Sequence, residues 1–130
     1  MIFQTPRRDY TFEIPDDWWR FSEMERFAIS PGGYYPYAVP SDDEVLIVSV
    51  DEVEPPRRNT GVTLLKKYKL MPVLFAFNSP ECALPSIEVY ESRAVGPYRF
   101  SVHNGYHRFY GSVAAGYSHL PVIVRLPFEP

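Results

Sequence analysis

Residues 104 to 108, Asn-Gly-Tyr-His-Arg, carry the most suggestive chemistry in this chain of 130 residues. The Asn104-Gly105 pair reads as a turn opening a helix. It therefore stands beside backbone amides that a helix N-terminus leaves free, where N–H groups and the dipole attract an anion. His107 and Arg108 fall in the same first turn, although a cation there is disfavoured by ~0.3–1 kcal/mol when exposed. A bound phosphate resolves that conflict. Arg57 and Arg58 form a second candidate pair, following Pro55 and Pro56 in a loop stiffened by fixed φ. Transfer or hydrolysis of phosphate needs an acid or base, and Glu52 and Glu54 are the nearest candidates in sequence.

Other reactive groups carry weaker signals. His103 and His107 have the spacing that puts two metal ligands on one helical face, but Gly105 and its turn interrupt that face and His119 lies beyond the helix, so no metal site is assigned. Cys82 is the only cysteine, which excludes an intramolecular disulfide, and without a neighbouring base it reads as an incidental thiol. Tyr34, Tyr35 and Tyr37 can stack bases or sugars, yet no basic residue interleaves with them, so packing along a proline-rich loop is the simpler reading. Lys66, Lys67 and Lys69 belong to an acid-free stretch from Pro55 to Pro80 and read as a solvated helix face.

The elements that must position these groups follow from periodicity. Tyr10, Phe12 and Ile14 alternate with polar residues as a half-buried strand, and Pro15 stops it. Asp16 and Asp17 then offer to cap a helix over 16 to 27 whose aromatic residues pack inward. Val45 to Val50 is apolar enough for a central strand. Val62, Leu65 and Lys69 have helical spacing over 61 to 70, Pro72 kinks or ends that helix, and residues 71 to 78 form a second short helical or buried segment. Strands are expected over 87 to 91 and 97 to 102, a helix over 106 to 115 stopped by Gly116, and a strand over 121 to 126.

Composition narrows the function classes. At 45% apolar and 16% aromatic the chain must pack a core, and 14 prolines argue against an all-helical bundle. A net charge of -3 argues against coating nucleic acid through an overall field, so an anion site has to be local. The first residues lack the apolar stretch of a signal peptide and no 18-residue apolar run occurs, which suggests a cytoplasmic protein without a membrane span.

Gly105, Tyr106, His107 and Arg108, then Ala114, Ala115 and Gly116, then Pro121, Val122 and Ile123 resemble, in order, the turn, helix, glycine and strand of the ParB/sulfiredoxin-like superfamily. The resemblance extends back through 84 to 91 and the proline-arginine box at 51 to 58, covering roughly residues 44 to 124. It implies a small mixed β-sheet with packed helices, an α/β (α+β) fold, in which residues 44 to 130 form the domain. Residues 1 to 43 are then an aromatic N-terminal extension packed on the same globular unit.

The resemblance further implies a nucleotide such as ATP or CTP with Mg, or another phosphate ligand, bound by residues 104 to 108. Gly105 admits the backbone to phosphate, His107 and Arg108 contact it, and Arg57 and Arg58 approach from the opposite loop. Phosphoryl transfer or hydrolysis is the activity such domains suggest. Tyr106 occupies the position of the reactive cysteine of sulfiredoxin, so sulfinic acid repair is excluded. Asn104 stands where many relatives have Asp, and the helix-turn-helix of partition ParB proteins has no counterpart here. Those departures leave two alternatives: a non-catalytic interaction module whose aromatic N-terminal segment binds a second copy or a partner protein, and a DNA-associated or nuclease-like accessory protein.

Overall fold

The computed structural model describes residues 1–58, 61–79 and 83–127. In chain order the elements are β1 (Ile2–Gln4), β2 (Thr11–Glu13), α1 (Asp16–Phe21), β3 (Leu46–Ser49), β4 (Val53–Glu54), α2 (Lys67–Phe77), β5 (Ile87–Glu91), β6 (Phe100–Asn104), α3 (Tyr106–Ala115) and β7 (His119–Arg125). Strands β1 and β2 form an antiparallel ribbon, and the other five form a mixed sheet in the order β3-β7-β5-β6-β4. Within it β5 runs parallel to β7 and antiparallel to β6, while β4 runs parallel to β6. The mixed sheet with packed helices is therefore observed.

The sheet has to curl. Strands β3 and β4 lie at opposite edges, yet only the 3-10 turn Val50–Glu52 joins them. Four residue steps reach at most ~14 Å, whereas four strand spacings in a flat sheet span about 19 Å. Inside the curl, Val48, Val53, Ile87, Val89, Phe100, Leu120 and Val122 share one core with Phe109 and Tyr110 of α3 and with Leu70 and Leu74 of α2. The N-terminal segment contributes Phe12, Ile14, Trp19 and Met24 to that same core.

Several elements differ from expectation. The run at 45 to 50 is an edge strand, with Leu46 and Ile47 37% and 39% exposed. An apolar run reports which side chains are buried, but α3 decides the order by carrying the chain from β6 across β5 to β7. The central strand is β5.

Helix α2 starts at Lys67 and runs through Pro72 to Phe77, so the expected helix at 61 to 70 and its stop at Pro72 are both corrected. Pro72 and Tyr68 lie on the exposed side, where the Tyr68 carbonyl deprived of its partner can meet water. The opposite side buries Leu70, Met71, Val73 and Leu74, each worth ~1.5–3 kcal/mol, which outweighs roughly 3 kcal/mol for an interior proline.

The helix expected over 16 to 27 breaks after Phe21, because Ser22 turns its buried hydroxyl onto the Trp18 and Trp19 carbonyls and Glu23 takes a left-handed φ of 62°. Asp16 does not cap α1. Its carboxylate accepts from the Met1 ammonium at 2.6 Å. Trp19 packs inward as expected, but Phe21 is 71% exposed. Among the described residues no helix is long and apolar enough to cross a membrane.

Candidate functional site

Helix α3 is bounded by two glycines in the left-handed region, Gly105 at φ 116° and Gly116 at φ 96°. A Cβ at Gly105 would come within 3.2 Å of Ile87 and 3.3 Å of the Arg108 guanidinium carbon, so only glycine fits between β6 and α3. No side chain caps the helix, which leaves its first amides facing outward. They open onto a cleft of about 530 Å³ whose walls include Pro56, Arg58, Lys69, His103 and residues 104 to 108. Among the described residues its charged side chains are Arg58, Lys69 and Arg108, and none of those that line it is a carboxylate.

Arg58 reaches the cleft from the proline loop, its guanidinium carbon 3.8 Å above the Tyr106 ring. Arg58 Nε and the Tyr106 hydroxyl are both buried without a hydrogen-bond partner among the described residues. Burial pushes the Tyr106 hydroxyl up to about 12, so the phenol stays protonated. Arg57 points elsewhere and stacks 4.4 Å over Tyr10. The two neighbouring arginines therefore part, as successive residues of an extended segment must, and only Arg58 joins the site. The loop itself is anchored from below: Tyr10 and Tyr110 share a hydrogen bond, and the Tyr110 hydroxyl donates to the Pro56 carbonyl at 2.7 Å.

His107 is not the cationic phosphate contact expected. It is buried, its Nε2 accepts the Lys66 amide at 3.0 Å, and burial together with Arg58, Lys69 and Lys66 pulls it down to about 4. The neutral ring thus carries its proton on Nδ1 and serves to hold the start of α2 against α3. Arg108 is also partly committed, since Nη1 donates to the Pro85 and Ser86 carbonyls at 2.7 and 2.8 Å. Burial lowers its affinity for a proton and Glu88 partly restores it.

Asn104 donates from Nδ2 to Glu88 at 2.9 Å, and the other Glu88 oxygen accepts from Arg125 Nε at 2.7 Å. The Asn104 hydrogen bond first, then the Arg125 one, hold the Glu88 carboxyl below its usual range. A carboxylate can only accept, so the Asn104 amide orientation is fixed and its carbonyl oxygen is turned away from Glu88.

Glu52 and Glu54 do not reach the cleft. Glu52 lies 3.6 Å from Arg99, and Glu54 is exposed on the edge strand β4. The three histidines diverge: His103 stacks on Tyr90, His119 bonds the Ser118 hydroxyl, and His107 holds Lys66. Among the described residues no group of His, Cys, Asp and Glu is placed to hold a metal, and Cys82 lies outside them. Tyr34 and Tyr35 meet edge to face at 5.0 Å, with Tyr37 exposed beyond.

Lys69, read from sequence as part of a solvated face, is the site residue that periodicity missed. It is exposed, as that reading expects, and it also lines the cleft, a placement for which the sequence offers no local signal. No protein-family model matches the chain, and no curated protein matches it in sequence.

Proposed function

We propose that this protein is a binding domain for a small phosphate-bearing anion, held in the cleft at the start of α3. The observation that carries this is the cleft's charge: Arg58, Lys69 and Arg108 line a cleft at the uncapped helix start, with no carboxylate among the described residues that line it. The relationship to ParB/sulfiredoxin-like domains is part of the same proposal, with a nucleotide such as ATP or CTP, with or without Mg, among the ligands to test.

Binding is favoured over catalysis by what the cleft lacks. Glu52 and Glu54 lie elsewhere, the His107 lone pair on Nε2 is already used, and Tyr106 keeps its proton. A thermal-shift series with phosphate, pyrophosphate, ATP and CTP, each with and without magnesium, tests the proposal. A ligand at one hundred times its dissociation constant adds roughly 2.7 kcal/mol. Stabilisation by at least one of these anions, lost in Arg58→Gln, is the expected result, and none by any of them removes the proposal.

A second reading, docking of a partner protein, has one observation in its favour. Phe21 and Phe75 meet edge to face at 5.7 Å while 71% and 42% exposed, an aromatic pair left on the surface where α1 meets α2.

A further inference from the structure

Strand β3 is an open edge of the sheet. The curl does not pair β3 with β4, so among the described residues β7 is the only strand bonded to β3. The phase of that ladder shows which backbone groups are left over. Val50 donates to the Ser118 carbonyl at 3.0 Å, in the same register that sets Val48 against Leu120 and Ile47 against Pro121. Hydrogen-bonded pairs alternate along an antiparallel ladder, so Leu46 and Val48 bond β7 while Ile47 and Ser49 turn their N–H and C=O groups outward. Pro121, with no N–H to give, stands opposite Ile47 at an unbonded position, as that phase requires. Among the described residues neither Ile47 nor Ser49 has a backbone partner on the outer side.

The side chains leave this edge accessible. Leu46 and Ile47 belong to opposite faces of the strand and both are exposed, so neither face is covered there. An exposed apolar edge is a template for another strand. The charges beside it select which one. Asp42 and Glu44, just before β3, are exposed and form no ion pair among the described residues, whereas Asp43 is held 3.1 Å from Arg125. Past the strand Asp51 is also exposed, but Arg7 bonds its carbonyl at 2.8 Å, so the more open negative charge lies at residues 42 to 44. Antiparallel pairing with a second copy would bring residues 42 to 44 of one chain to Asp51 and Glu52 of the other, and parallel pairing would set each acid beside its counterpart. Like charges so placed oppose pairing.

We infer that the β3 edge receives an extended peptide segment of a partner protein, apolar in its middle and carrying lysine or arginine at the end that meets Asp42 and Glu44. The segment adds to the sheet as a further strand. Its backbone bonds the outward groups of Ile47 and Ser49, and its alternate side chains lie beside Leu46 on one face and Ile47 on the other. The acids that oppose a second copy attract a basic strand, so one set of charges both excludes the wrong occupant and selects the right one. The inference is independent of the anion cleft, which opens where β6 meets α3 and is not lined by β3.

Fluorescence anisotropy of labelled peptides with the full chain, at one pH and low salt, tests it. The probes are Lys-Val-Thr-Val-Thr-Lys, the same peptide with Glu at both ends, and the Lys peptide with its inner amides N-methylated. The Lys peptide should bind about ten-fold more tightly than the Glu peptide, as replacing attraction by repulsion at exposed charges supplies, and N-methylation should abolish most of its binding. Asp42→Lys/Glu44→Lys changes two exposed side chains without an ion pair, so it should melt near the parent and lose the preference for Lys. Ile47→Pro removes an outward N–H and spares the bonds to β7, so it should weaken the Lys peptide. Should that variant fold poorly, the charge variant and the N-methylated peptide still decide. Equal binding of the Lys and Glu peptides, binding undiminished by N-methylation, or no binding of either peptide overturns the inference. A dimer of the free chain in sedimentation velocity that Ile47→Pro dissociates overturns it too, assigning the edge to a second copy.

Discussion

The guanidinium of Arg58 sits 3.8 Å above the ring of Tyr106, the first residue of α3. That contact joins the proline loop to the helix start and holds a cation in the cleft onto which the helix start opens. Stacking of this kind is worth ~0.5–2 kcal/mol. Arg58→Lys should therefore weaken anion binding as well as stability, because a lysine ammonium neither stacks as a plane nor offers a fork. Anion titration and denaturant unfolding of the two proteins supply both quantities. An unchanged affinity in Arg58→Lys would show that the stacked geometry is irrelevant.

His107 should make stability depend on pH. Its folded value of about 4 lies below the ordinary 6.5, so between those values the unfolded chain binds more protons. Stability is then fully present above about pH 6.5 and falls as pH drops toward 4, with a slope of at most ~1.4 kcal/mol per unit. His107→Gln keeps an acceptor for the Lys66 amide without titrating. Urea midpoints at pH 7 and pH 5 should differ more in the parent than in the variant, and equal differences would contradict the assignment of a buried neutral ring.

Arg108→Ala separates support from binding. Loss of the bonds to the Pro85 and Ser86 carbonyls should lower stability by ~1.5–3 kcal/mol, the range for a charged hydrogen bond. Removing an exposed cation from a helix start would instead raise stability slightly. A melting temperature at or above the parent's would show that the two carbonyls do not depend on Arg108.

Gly111 sits where α3 crosses α2, and a Cβ there would lie 2.8 Å from Val73 Cγ1. Gly111→Ala gains up to about 1 kcal/mol of helix propensity but overpacks a buried contact at a cost of ~1–3 kcal/mol. A net loss is expected, and Val73→Ala in the same chain should restore part of it. Additive losses in the double variant would show that the two positions do not touch.

What could be foreseen from sequence divides along physical lines. Helix α3 was legible because both its ends are local: Gly105 and Gly116 mark left-handed turns, and Phe109 to Val113 spans one helical turn. Strand β5 was legible by alternation, with Ile87 and Val89 inward. The edge position of β3 was not, since strand order depends on pairings between distant segments. Strand β1 was not foreseen because its register comes from β2 and its strand is three residues long.

At the site, Asn104 to Arg108 come together as a contiguous turn, and Arg58 arrives through the stiff proline loop. The roles within the turn were harder to see. Charge type suggested that His107 and Arg108 act alike, whereas the Lys66 amide and two carbonyls of the loop at 85 to 86, all remote in sequence, assign them different work. Lys69 was hidden because its place beside the cleft depends on α2 packing against α3, a contact between distant segments.

The central claim is that Arg58 and Lys69 hold an anion over the start of α3. Titration calorimetry of inorganic pyrophosphate into the parent and into the Arg58→Gln/Lys69→Gln double variant, at fixed pH and salt, tests it most directly. Binding in the parent should weaken by about 30-fold or more in the variant, as loss of charged hydrogen bonds requires. Pyrophosphate that binds both proteins equally, or neither, would contradict it.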